Sequence, residues 1–174
     1  MKTSAWELPI RKAVVDSCPL FSALTLHYVR QSPPSRRDSI LNINEVPTYL
    51  RSEPVQRNFL RLFDGIQTLL TTSHVIGEIQ GLQKLKQASG EEFWQSSILF
   101  LKARKLDERL VKLLDLDRKG RSLLVGQIGP TDTGLIELAI QTKSVVLTDD
   151  GRTLARARPE AVDVRLVEHL VRSS

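Results

Sequence analysis

Ser144-Val145-Val146-Leu147-Thr148-Asp149-Asp150-Gly151 decides the fold. An apolar run this short, with no polar alternation, reads as a strand buried on both faces, here Ser144 to Leu147. Two acids and a glycine then end it in a turn. Lys12-Ala13-Val14-Val15-Asp16 repeats the design near the start of the chain, and Thr68 to Thr72 is a second short strand. Leu123 to Ile128 and Val162 to Leu166 are weaker strand candidates. Helical spacing fills the gaps at Pro19 to Val29, Val55 to Phe63, Ser73 to about Lys86, Glu91 to Leu106 and Asp132 to Gln141, with Ser73 as a cap and Ser89-Gly90 as the break before Glu91. Val46 to Leu50 reads as a helical turn, and Thr153 to Ala157 as a short helix. Gln31 to Asp38, with Pro33-Pro34-Ser35-Arg36-Arg37, reads as a loop. Short apolar strands alternating with helices predict an α/β fold, a three-layer α/β/α domain around a mostly parallel sheet.

The 174 residues suit one domain spanning 1–174, with an Arg-rich helical or loop elaboration at about 31–65. A hydrophobic content of 41% and a charged content of 26% exclude disorder and fibrous classes. One cysteine, Cys18, excludes an internal disulfide framework and a multi-thiolate zinc site. The longest uncharged stretch, Ser17 to Val29, is 13 residues, short of the roughly 20 a membrane-spanning helix needs. Met1 to Lys12 has no apolar core of a leader, so a cytoplasmic protein is expected. The net charge of +5 suits a polyanionic partner, although a basic surface alone accounts for it equally well.

In open parallel sheets, ligands bind beyond the carboxyl ends of the strands. Asp16 ends the first strand, and Asp149 and Asp150 end the strand quoted above. Helical arithmetic adds two acids. At about 100° per residue, Glu78 lies roughly 40° from Leu82 and 20° from Leu85, on the apolar stripe. Asp132 falls close in angle to Leu135, Ile136 and Ala139. An unpaired carboxylate on a packed face costs several kcal/mol. Each acid also has a local reading. Asp132 suits a helix dipole, Asp149 or Asp150 a helix cap, Asp16 a strand-end amide, and Glu78 a lysine partner. One acidic pocket explains all of them together. Carboxylates so gathered repel and raise one another's pKa. Hard cations such as Mg²⁺ or Mn²⁺ relieve this with oxygen ligands, and no thiolate or histidine cluster favours zinc.

Val14-Val15-Asp16-Ser17, Ser73-His74-Val75-Ile76-Gly77-Glu78, Pro130-Thr131-Asp132-Thr133-Gly134 and Val146-Leu147-Thr148-Asp149-Asp150 resemble, in order, the four acidic motifs of PIN domains. Members of that family are Mg²⁺- or Mn²⁺-dependent ribonucleases with a parallel-sheet α/β/α fold. The resemblance spans roughly Lys12 to Val171. It implies a metal-dependent ribonuclease with Asp16, Glu78, Asp132 and Asp150 as catalytic metal ligands. Asp149 is then a further ligand or a neighbour, and Ser17 and Thr148 support the site. Cys18 stands where an amide often follows, and reads as a small buried residue more readily than as a reactive thiol. The 62 positions from Asp16 to Glu78 exceed the spacing of compact toxin members, and the excess lies in the 31–65 elaboration. RNA is the implied partner, with a protein partner or antitoxin and a homodimer as further expectations. Arg118, Lys119, Arg121 and Arg152 are candidate phosphate contacts. His74, four residues before Glu78, reads as a capping residue more readily than as a general base. The competing reading is a PIN-like module that binds RNA or protein without cutting. A phospho-receiver domain needs paired acids early in the chain. A haloacid-dehalogenase-type phosphatase needs Asp-x-Asp where Asp16-Ser17-Cys18 stands.

Overall fold

The computed structural model describes residues 10–172, so the reading of the chain start as leaderless lies almost wholly outside the described residues. Five strands form one sheet: β1 (Lys12–Val15), β2 (Thr68–Thr72), β3 (Asp107–Arg109), β4 (Val145–Thr148) and β5 (Val164–Leu166). Their order is β3-β2-β1-β4-β5, and every pairing is parallel. The register sets Val14 beside Leu70 and Val146, which aligns the ends of β1 and β4. Ala13, Val14, Val15, Leu69, Leu70, Val146 and Leu147 are all buried, as a sheet covered on both faces requires.

The helices are α1 (Ser17–Gln31), α2 (Pro34–Ile43), α3 (Glu53–Gly65), α4 (Ser73–Leu82), α5 (Gln87–Ala103), α6 (Leu113–Arg118), α7 (Ser122–Ile128), α8 (Pro130–Thr142), α9 (Gly151–Ala157) and α10 (Val167–Arg172). α1 packs against α2, α3, α4 and α5, and α10 joins this layer through α3. α8 packs on β1, β2 and β4 and against α6 and α7, with α9 against α7. Helices therefore cover both faces, and the α/β/α architecture with an all-parallel sheet is observed. Phe59, Phe63, Phe93, Leu20 and Leu24 fill the first interlayer core.

Several elements differ from expectation, each for an identifiable reason. The stretch expected as a loop at Gln31 to Asp38 contains the start of α2. Pro34 sits in its first turn, where the missing N–H costs nothing. Leu123 to Ile128 is helix α7 and not a strand, since a short apolar run does not separate the two by period. β3 is an unexpected strand. Its residues Asp107-Glu108-Arg109 have no apolar side chain, and it holds only the sheet edge, pairing with β2 alone. Ser73 does not cap α4. Thr72 does so, its hydroxyl accepting from the Val75 amide at 3.5 Å. Ser89-Gly90 does not break a helix but lies inside the first turns of α5. Gly90 is required there, because a Cβ would stand 2.8 Å from the Leu85 carbonyl.

Candidate functional site

The carboxyl ends of β1 and β4 open into a cleft of about 570 Å³. Asp16, Ser17, Cys18, Glu78, Thr131, Asp132, Asp149, Asp150 and Arg152 are among its lining. All five acids singled out in the sequence thus meet at one edge. Strand order reverses direction between β1 and β4, the point where parallel sheets leave a crevice. A larger hollow of about 630 Å³ lies at the opposite sheet edge, beside Lys12, Lys143 and Val145, and holds none of these acids.

Asp16 leaves β1 with its amide still donating to the Leu147 carbonyl at 3.0 Å. Its carboxylate then caps α1, Oδ1 accepting from the Ser17 amide at 2.6 Å and the Ser17 hydroxyl at 3.2 Å. Oδ2 accepts from the Thr148 hydroxyl at 2.7 Å. Thr148 Oγ1 accepts in turn from the Asp150 amide at 2.9 Å. The two strand ends are therefore tied through one threonine, and both supporting residues read from the sequence touch Asp16. Burial pushes the Asp16 pKa up, the Thr148 and Ser17 hydrogen bonds pull it back, and the Glu78 charge raises it further.

Asp132 sits in the first turn of α8 and accepts from the Thr153 hydroxyl at 3.0 Å. Its pKa rises to about 6. Burial is the main cause, and the Asp16, Asp150 and Glu78 charges add to it. This is the electrostatic signature of acids that face one another. Glu78 departs from its expected setting. α4 stops at Leu82, which is 38% exposed, and Leu85 lies beyond the helix. Glu78 is thus on the open rim and not on a packed face. Its carboxylate accepts from the Thr131 hydroxyl at 2.8 Å.

Asp149 and Asp150 diverge. Asp149 points inward and accepts from the Tyr49 hydroxyl at 3.0 and 2.9 Å. Burial raises its pKa, which the Tyr49 and Cys18 hydrogen bonds oppose. Asp150 takes the capping role weighed for this pair, Oδ1 accepting from the Arg152 amide at 2.8 Å, and it is ion-paired to the Arg152 guanidinium at 3.2 Å. Burial opposes its ionisation, but the Arg152 amide and side chain outweigh it and hold its pKa down. Burial and the Asp149 and Asp16 charges push the Cys18 thiol up to about 12, which favours the protonated thiol over the thiolate. His74 stands outside the cleft lining, its Nε2 lying 3.0 Å from the Val111 carbonyl.

The candidate phosphate contacts separate. Arg152 lines the cleft, whereas Arg118, Lys119 and Arg121 do not. Lys119 and Arg121 instead neutralise the buried Glu137 of α8, at 2.6 and 3.3 Å, and Arg118 pairs with Asp115. Tyr49, Thr131 and Thr153 are site residues that spacing did not single out. Tyr49 lies 100 positions from its partner, so no local pattern marks it.

The chain matches no protein-family model, and no curated protein matches it significantly. The site is therefore judged on its own chemistry. Its donors are carboxylate and hydroxyl oxygens, which suit a hard divalent cation. Among the described residues no three His, Cys, Asp or Glu side chains come together closely enough to hold one ion. Each acid rests instead on a neighbouring hydroxyl or amide. Among the described residues, no helix is long and apolar enough to cross a membrane.

Proposed function

We propose that the chain is a PIN-like ribonuclease that hydrolyses RNA phosphodiester bonds with Mg²⁺ or Mn²⁺. The carrying observation is that Asp16, Glu78, Asp132 and Asp150 line one open cleft at the carboxyl ends of β1 and β4, where burial, with the charges of the other three, pushes the Asp132 pKa up to about 6. A fold serving stability alone gains nothing from that crowding. Perturbed acids in a cleft mark functional sites. In this reading Asp16, Asp132, Glu78 and Asp150, which line one cleft but form no coordination sphere by themselves, would draw together on the ion when it binds. Ser17 and Thr148 orient Asp16, and Thr153 orients Asp132. Such an ion, when bound, offsets the carboxylate charge and polarises a phosphoryl oxygen. Arg152, largely exposed on the cleft rim, exchanges its Asp150 contact for an RNA phosphate. The cytoplasm suits the single free thiol of Cys18.

A second reading, a PIN-like module that binds RNA or a protein without cutting, draws on two observations. No three-ligand group is formed among the described residues, and Asp150 is occupied by Arg152. RNA cleavage by the purified chain, with Mn²⁺, with EDTA and as Asp132→Asn, separates the two. Cleavage that needs Mn²⁺ and disappears in the variant supports the nuclease. RNA binding with steep salt dependence, unchanged by Asp16→Asn and without cleavage, supports the module.

A further inference from the structure

We propose that Asp149 is an anchor and not an ion ligand, and that Tyr49 is the positioning residue that holds it, so that the 31–65 elaboration braces the cleft. Tyr49 is 8% exposed and lies in the single helical turn Thr48–Arg51, between α2 and α3. Its hydroxyl donates to the Asp149 carboxylate, lying 3.0 and 2.9 Å from the two oxygens. Cys18 of α1 and the Glu168 backbone of α10 also favour the ionised form of this carboxylate. The Tyr49 hydroxyl thus reaches both oxygens of one side chain at the end of β4, so a cation there would have to compete with it for each of them. Asp132 and Glu78, by contrast, each accept from one threonine hydroxyl.

The anchor acts through its chain neighbours. Thr148 bonds Asp16, and Asp150 carries the other cleft carboxylate at this strand end. Holding Asp149 fixes the backbone that aims both. Long side chains and loops left unsupported lose geometry of the order that matters to a site. The elaboration is therefore a part of the cleft's framework. The consequence for ion binding rests on the nuclease reading above, while the anchor itself does not.

The test uses the full chain as wild type, Tyr49→Phe, Asp149→Asn and Asp150→Asn, with amide hydrogen exchange and calorimetric titration of MnCl₂. In Tyr49→Phe, exchange is expected to quicken at least tenfold at residues 150–153 and 17–20 and to stay unchanged in α5. Its Mn²⁺ affinity should fall three- to tenfold, which loss of a merely structural hydroxyl would not cause. Asp150→Asn should lose at least tenfold more affinity than Asp149→Asn, whose amide oxygen still accepts from Tyr49. Unchanged exchange at 150–153 in Tyr49→Phe overturns the anchor, as does a uniform acceleration that includes α5. Equal Mn²⁺ losses in Asp149→Asn and Asp150→Asn overturn the assignment of Asp149. A wild type that binds no Mn²⁺ and cuts no RNA sinks the nuclease reading instead, and the exchange arm then decides the anchor alone.

Discussion

Asp132→Asn should make the protein more stable, and only above a definite pH. The folded Asp132 carboxyl has a pKa of about 6 against 3.8 for a free side chain. The folded state therefore holds its proton more tightly than the unfolded chain. Stability from this group is fully present below about pH 4 and is lost as pH rises through about 6. Two units correspond to roughly 3 kcal/mol, but Asp132 is only part-buried, so solvent softens both the burial penalty and the repulsion. About half, ~1.5 kcal/mol, is the expected penalty at neutral pH. Asparagine removes the charge and keeps an oxygen for the Thr153 hydroxyl. For a chain of this size the melting temperature should rise by roughly 3–6 °C at pH 7.5 and by nothing measurable near pH 4. Thermal melts of both proteins across pH 4 to 8, without divalent ions, read this directly. A variant less stable than wild type at pH 7.5, or a difference that does not change with pH, would refute the claim that burial and the neighbouring acids penalise the ionised Asp132.

Three further outcomes are expected. Glu78→Gln should leave the melt without ions within about 0.5 kcal/mol of wild type, because Glu78 is exposed, yet it should abolish cleavage and shrink the Mn²⁺-induced rise in melting temperature. Glu137→Gln should cost about 2 kcal/mol in denaturant melts, since it strips the buried partner from Lys119 and Arg121. Lys119 and the other partners hold the Glu137 pKa down against the effect of burial, so that loss should fade as pH falls below the carboxylate range. Gly90→Ala should destabilise by roughly 1–3 kcal/mol, against the usual helix preference for alanine, because the new methyl meets the Leu85 carbonyl. A neutral or stabilising result there would show that α5 shifts freely.

The sequence carried the sheet centre well, and for a physical reason. Val14-Val15 and Val146-Leu147 are apolar on both faces only because helices cover both, so the strands announce themselves and their terminal acids follow. β3 was invisible because Asp107-Glu108-Arg109 borders solvent and needs no apolar face. α2 was hidden by Pro33-Pro34, which punctuates a helix start as readily as a loop. For Glu78 the destination was right and the argument wrong. The angle to Leu82 and Leu85 assumed a helix longer than α4, and the acid reaches the cleft from an exposed rim. Tyr49 was beyond reach altogether, since its meaning depends on a partner 100 positions away.

The central position of β1 has a consequence for synthesis. Its two neighbours are made at very different times, β2 starting at Thr68 and β4 at Val145. Asp16 leaves the ribosome long before Thr148 and Asp150, the groups that complete its setting. At about 5–20 residues per second, the 134 positions from Asp16 to Asp150 take roughly 7 to 27 s to translate. Throughout that interval the nascent chain has one half of its cleft and no partner for Asp16 on the β4 side. A fragment that stops before Val145 carries Asp16, Glu78 and Asp132 but neither β4 nor β5, so β1 stays an open sheet edge. The cleft is therefore completed only when the last sixth of the chain has been made, whatever chemistry it then serves.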